Sequence, residues 1–508
     1  MLPASRQFFG HPRGLSTLFF SEMWERFSYY GMRGFLILYM TAAVSAGGLG
    51  VDTATAAAVY GTYTSMVYLM SLPGGWLADR LLGQQRAVLI GGVLIAVGHF
   101  SLAVPLGPTF YLGLALIVLG TGLLKPNISV IVGQLYGPQD LRRDSGFSIF
   151  YMGINMGALL GPLATGFLAQ SEMFRRQLLD WGLDPNSAWH WGFGAAGVGM
   201  TLGLVQYVRG RNALGDAGRR PAASAGDRAT ALRQVTITTA VGVALIGAWA
   251  ALALIDPRLA ITSASVSTVA GYSLLVITVV FFARLFLDRS WTPDERRRLS
   301  LIVVFFLAAA LFWSVFEQAG STLNLFADRS TRNEIFGATF PSSWWQSVNP
   351  LGIIVFGPVF AWLWIRLGRR QPSTATKFAL GLIGVGLGFL VLVPAAAMAS
   401  TGVQVGVFWL TAVYLLHTWS ELCLSPVGLS AMTRLAPARI VSLMMGVWFL
   451  ATSVGNYAGG QMASFYETMP LERLLLSVAA LPIAAGLVLL IARRPLARLT
   501  GVDQPAAG

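Results

Sequence analysis

SEMWERFSYYGMRGFLILYM, residues 21–40, is apolar enough to enter a bilayer yet carries four ionisable side chains, Glu22, Glu25, Arg26 and Arg33. With Tyr29 and Tyr30 they follow an i, i+3/4, i+7/8, i+11 spacing, which places them on one face of a single helix. Each ionisable group at membrane depth costs about 2.5–3.5 kcal/mol on insertion scales. A stripe of four is incompatible with lipid, so this face turns toward a wet cavity or toward opposite charges on other helices.

The rest of the chain supports a bilayer setting. Of its 508 residues 55% are hydrophobic and 11% charged, where soluble proteins are closer to a quarter charged. Apolar windows recur at about 20 residues each, the length a bilayer demands. The composition reads as an all-α polytopic membrane protein. The first twenty residues lack the features of a removable signal peptide, so the first apolar segment is expected to stay as a span. Cys423 is the single cysteine, and the four histidines (His11, His99, His190 and His417) are scattered. That excludes an intramolecular disulfide and offers no metal-ligand spacing. No metal, cofactor or catalytic set is expected.

Apolar windows fall near 15–43, 53–79, 86–105, 109–136, 144–169 and 190–208. After a polar, Arg-rich linker (210–234) come two more, near 235–255 and 264–287, then the charged patch DRSWTPDERRR (288–298). Six follow near 299–326, 344–366, 376–398, 405–427, 440–463 and 473–492. Fourteen transmembrane helices divide as six, two and six. The expected organisation is an N-terminal six-helix bundle (1–209), a basic linker with two additional helices (210–298) and a C-terminal six-helix bundle (299–508).

The net charge of +13 could suggest nucleic acid, but its distribution points to membrane orientation. With the N-terminus inside, 26 of the basic residues fall in inside-facing segments and 6 in outside-facing ones. This asymmetry predicts an even number of spans and two cytoplasmic termini. A lipid bilayer, not nucleic acid, is the expected partner, and a monomer the expected state.

Three more ionisable residues lie inside apolar windows: Lys125 in GTGLLKPNISV (120–130), Glu317 in FFLAAALFWSVFEQAGSTL (305–323) and Glu421 in YLLHTWSELCLSPVGLSAM (414–432). A structural explanation would make Glu22 a wetted helix-end residue and Glu25–Arg26 a buried pair of little net value. Seven intramembrane charges on four helices favour a pathway for substrate and protons instead.

GGWLADRLLGQQR (74–86) resembles the loop motif of the major facilitator superfamily, in which two six-helix bundles rock about a central site. That resemblance implies that Asp79, Arg80 and Arg86 form a cytoplasmic gate. The first helix, Glu22-Met-Trp-Glu25-Arg26-Phe27-Ser-Tyr29-Tyr30-Gly31, resembles the ExxERFxYYG motif of the proton-coupled oligopeptide transporters (POT, also called PTR). FYMGINMGALLGP (150–162), Lys125-Pro126-Asn127, the FEQ of 316–318, SVNPL (347–351) and SELCLSPVGLS (420–430) are similar to further segments of that family. Two additional helices between the bundles are a prokaryotic feature of it.

The resemblance implies uptake of dipeptides and tripeptides with protons, by alternating access, across a bacterial inner membrane. A short peptide is a zwitterion, which cations on one bundle and a carboxylate on the other can read by its ends. Arg33 and Lys125 are expected on the peptide carboxylate, Glu421 on the α-amino group, and Asn155, Asn349 and Ser425 on backbone or ends. Tyr29, Tyr30, Tyr68 and Trp448, with Trp313 and Phe449, would line tolerant apolar pockets. Glu317 facing Arg33 is the first candidate for proton exchange, and Glu22, Glu25, Arg26 and Lys125 are the second. No histidine lies between 53 and 85, so coupling rests on carboxylates. Alternatives are a proton-coupled transporter of another small anion or zwitterion, such as nitrate or a peptide-like drug, a nutrient receptor, and an intramembrane hydrolase using Ser420 or Ser425 with His417.

Overall fold

The computed structural model describes residues 7–500 apart from Pro138, Arg220, Ala222 and Ala223. Arg6 and Arg220 of the basic residues counted above lie outside the described residues. Fourteen helices of 17 residues or more make up most of the described chain. They are α1 (Gly14–Thr41), α2 (Thr53–Leu69), α3 (Gln84–Leu102), α4 (Gly107–Gln134), α5 (Arg143–Gln170), α6 (Ala188–Gly210) and α7 (Ala225–Ile255). The remaining seven are α8 (Ser263–Leu287), α9 (Pro293–Phe316), α10 (Val348–Leu367), α11 (Thr374–Ser400), α12 (Phe408–Leu435), α13 (Met444–Ala463) and α14 (Leu471–Thr500). Two-residue antiparallel strands pair Gln7–Phe8 with His11–Pro12 and Glu334–Ile335 with Ala338–Thr339.

Ten helical stretches among the described residues are long and apolar enough to cross a membrane. The long helices outside that set are α1, α2, α6 and α12. Two of these, α1 and α12, carry five of the seven ionisable residues singled out above. Polarity at the site thus lowers the very signal that marks a span. By contrast 0% of the best apolar window of α7 and 11% of that of α8 is buried.

Local chemistry explains where helices begin and break. Thr292 and Glu295 form a reciprocal capping box at the start of α9, with Pro293 in the first turn, where its missing N–H costs nothing. The window 53–79, read above as one span, is two helical pieces: α2 ends at Leu69 and the chain resumes over Ser71–Leu77. Pro73 has no N–H to donate to the Leu69 carbonyl, which accounts for the break. The window 299–326 likewise divides. α9 ends at Phe316, a tight turn occupies Glu317–Gly320, and a short helix runs over Thr322–Arg329.

The chain forms two compact units. The first holds Met1–Met32, Met66–Gly161 and Trp189–Tyr272; the second holds Arg33–Ser65, Pro162–Ala188 and Ser273–Gly508. Helices α1, α2, α5 and α8 therefore each pass from one unit to the other.

Within the first unit, the FYMGINMGALLGP segment has a plain physical purpose. Gly153, Gly157 and Gly161 recur every fourth residue on α5, and a Cβ on them would meet Phe19, the Met23 carbonyl and the Phe27 carbonyl of α1. Only glycine lets α5 lie backbone-to-backbone against the charged helix. Lys125-Pro126-Asn127 is similarly explained. Pro126 cannot donate to the Gly122 carbonyl, and Gly74 packs against that carbonyl so closely that a Cβ would collide with it. Asn127 Nδ2 donates to the Leu123 carbonyl at 2.7 Å and the Gly74 carbonyl at 3.3 Å.

Within the second unit, the start of α2 is tied to the loop after α13. Thr53 Oγ1 donates to Glu467 Oε1 at 2.5 Å, and Arg329 donates to the same oxygen at 2.7 Å and to Thr53 Oγ1 at 3.1 Å. The Thr53 hydroxyl, and then the Arg329 guanidinium, hold the Glu467 carboxyl below its ordinary range. A lowered folded value stabilises above the unfolded-chain glutamate pKa, about 4.3, and that stabilisation is lost as pH falls through the lowered value. Glu467→Gln is therefore expected to lower the Tm of the detergent-solubilised protein at pH 7, by under about 1 kcal/mol for so exposed a pair. The gap between variant and parent should close on acidification below pH ~4. Parallel Tm-against-pH curves would show the opposite.

Candidate functional site

The sequence-selected residues fall into two ionic groups, one in each unit. In the first unit Arg26 Nε lies 2.8 Å from Glu22 Oε1 and 3.1 Å from Glu25 Oε2. All three side chains are buried, Glu25 completely. Glu25 Oε1 meets no hydrogen-bond donor among the described residues, which leaves that oxygen room for a proton. Lys125 adds its positive charge to the field at Glu25, and its ammonium stands 3.6 Å from the centre of the Tyr68 ring. An ammonium on an aromatic face is stabilised while remaining available to an anion. Tyr29 is buried and meets Tyr30 edge-on at 5.2 Å. Asn155, also buried, donates to the Tyr151 carbonyl of its own helix at 2.9 Å.

The second group surrounds the turn Glu317–Gly320. Arg33 forms an ion pair with Glu317, both side chains about 5% exposed. Arg33 Nε donates to Tyr60 Oη at 2.5 Å. The helix break is what lets this cluster close: a Cβ at Gly320 would strike the Tyr60 hydroxyl and crowd Arg33. The turn itself is braced by Gln318, whose Nε2 donates to the Ser314 carbonyl at 3.0 Å while Thr322 Oγ1 donates to its Oε1 at 2.7 Å. Glu421, on α12, lies in the same unit as this pair. Asn349 Nδ2 donates to Glu421 Oε2 at 3.0 Å and to Thr418 Oγ1 at 3.2 Å. Trp448 is buried and meets Trp313 edge-on at 6.4 Å, and Ser425 is half-buried on α12.

Sequence reading missed Tyr60, which lies two turns before Tyr68 on α2, together with Gln346, Tyr414 and Thr418. A polar residue in an apolar window was the available signal, but isolated hydroxyls and amides also pack by bonding their own backbone.

The motif read above as a loop is helical here: Asp79 and Arg80 lie in the helical turn Ala78–Leu82 and Arg86 in the first turn of α3; all three are exposed, and Asp79 Oδ1 accepts from Gln84 Nε2 at 2.7 Å. Two of the residues named for the hydrolase alternative have backbone partners. His417 Nε2 lies 3.2 Å from the Val385 carbonyl, and Ser420 Oγ donates to the Leu416 carbonyl at 2.6 Å. Both groups are engaged by backbone, not by one another.

Comparison with known proteins agrees with this geometry. The POT family model matches residues 85–477. The first-helix charges precede that match, but pairwise likeness extends over them. The peptide transporter YePEPT of Yersinia enterocolitica is 42% identical over 525 residues, covering 99% of this chain and 98% of the relative. A di-/tripeptide transporter of Lactococcus lactis is 38% identical over 504 residues, covering 98% of each. A solved structure of a peptide transporter POT in complex with sulfate superposes with a TM-score of 0.89 at 41% identity, covering 97% of both chains. Ten apolar spans, the ionic groups buried among them and relatives matched from end to end make this chain an integral membrane protein of the POT family.

Proposed function

We propose that the protein is a proton-coupled symporter of dipeptides and tripeptides, with both termini in the cytoplasm and the bacterial inner membrane as its location. The observation that carries this reading is the buried Arg33–Glu317 pair, with Glu421 in the same unit. Positive and negative groups there match the two ends of a zwitterion. Arg33 takes the peptide carboxylate through its planar fork, and Lys125 is the alternative cation for it. Glu421, oriented by Asn349, takes the α-amino group. A substrate carboxylate that claims Arg33 deprives Glu317 of its counter-charge, and a buried carboxylate without one takes up a proton. Peptide and proton therefore promote each other's binding. Glu22, Glu25, Arg26 and Lys125 pass the proton in the first unit. The halves 1–209 and 299–508 alternate access around the bound peptide, with Asp79, Arg80 and Arg86 gating the cytoplasmic side. The protein works as a monomer and catalyses no covalent chemistry.

The test is uptake into proteoliposomes with an imposed proton gradient. Dialanine should accumulate, and N-acetyl-dialanine, which lacks the ammonium that Glu421 reads, should be taken up at least about tenfold less, as expected when a buried charge is left unpaired. Equal uptake of both peptides would remove Glu421 from its role. Accumulation of nitrate but not dialanine would overturn the peptide reading.

A further inference from the structure

Where the short element Ser342–Ser347 runs directly into α10, two amide side chains stand three residues apart, Gln346 in the short element and Asn349 in the first turn of α10. Asn349 bonds Glu421. Gln346 does something different. Its Nε2 donates to the Ala319 carbonyl at 2.6 Å and to Tyr414 Oη at 3.1 Å. Ala319 belongs to the turn Glu317–Gly320, so this bond fastens the backbone that carries Glu317. The stem of Gln346 also lies beside the residue after Arg33: a Cβ on Gly34 would be 3.7 Å from Gln346 Cγ. Tyr414 is fixed in turn. It is fully buried, and its ring stacks on Trp345 with centroids 6.0 Å apart and planes 10° from parallel.

We infer that Gln346 is a positioning residue for coupling: it ties the turn bearing the Arg33–Glu317 pair to the segment whose Asn349 orients Glu421. The inference rests on the proton-coupled reading above. Carbonyls at a helix end lack intrahelical donors, and Gln346 supplies a donor to one in the turn after α9. When the ion pair opens, the turn relaxes. A bond from Ala319 to residue 346 passes that movement, three residues on, to the amide holding Glu421. Recognition of the peptide's amino end and release of Arg33 from Glu317 thereby become one event. Gln346 touches neither peptide nor proton.

Gln346→Leu keeps the approximate length and removes both donated bonds, and Tyr414→Phe removes one of them. In proteoliposomes, dialanine counterflow needs no net proton movement, and accumulation against a gradient does. Gln346→Leu is expected to retain counterflow within about twofold while proton-driven accumulation falls about tenfold, the scale of two lost hydrogen bonds at about threefold each. Tyr414→Phe should show the same split at about threefold. The pH profile of uptake should shift in Gln346→Leu, which a merely structural defect would not produce. Accumulation unchanged in both variants, or accumulation and counterflow lost equally in both, overturns the inference. Wild-type protein unable to accumulate dialanine would instead overturn the reading beneath it.

Discussion

Replacing Glu317 by Gln is expected to abolish proton-driven accumulation of dialanine while leaving peptide counterflow. The substitution keeps the size of the side chain and removes the charge that pairs with Arg33. One proton crossing 100 mV supplies about 2.3 kcal/mol, enough for a roughly 50-fold concentration ratio at about 1.4 kcal/mol per decade. With no proton to exchange at this position, the variant should equilibrate peptide and accumulate none. Radiolabelled dialanine in proteoliposomes, measured with and without an imposed gradient, reads both quantities. Equal loss of accumulation and counterflow would argue against a proton role for Glu317.

Lys125→Ala is expected to stop concentrative uptake in the same assay. Alanine removes the side-chain charge at this position. The Lys125 ammonium is the positive group 3.6 Å above Tyr68, and its charge reaches Glu25. Removing it leaves Glu22 and Glu25 with Arg26 as the only ion-pair partner shown for them. On the function proposed above, proton release from this cluster loses its driving charge, and the peptide carboxylate loses a candidate cation. Full accumulation by the variant would remove Lys125 from both roles.

Much of this architecture could be read from residues alone, and the reasons are physical. Charges inside apolar windows are too costly to be incidental, so Glu22, Glu25, Arg26, Arg33, Lys125, Glu317 and Glu421 announced themselves. Glycines at every fourth position of α5 were visible too, but only the backbone contacts with α1 explain them. Other features depend on partners distant in sequence. Gln346 looks like any polar residue near a helix start; its importance lies in the carbonyl of Ala319 and the hydroxyl of Tyr414, 27 and 68 residues away. Tyr60 reads as a packing aromatic until Arg33 is placed against its hydroxyl. The divided windows at Leu69 and Glu317 followed hydropathy, which is blind to a missing N–H or a tight turn. The division of α1 between units at Met32 and Arg33 is equally invisible to local pattern, because it reflects long-range packing.

The account depends most on peptide and proton crossing together, and a pH-sensitive dye trapped in proteoliposomes tests that most directly. Addition of dialanine to vesicles held at a negative internal potential should acidify the lumen, and N-acetyl-dialanine or the Glu317→Gln variant should not. Dialanine accumulating in the lumen with no accompanying acidification would contradict it.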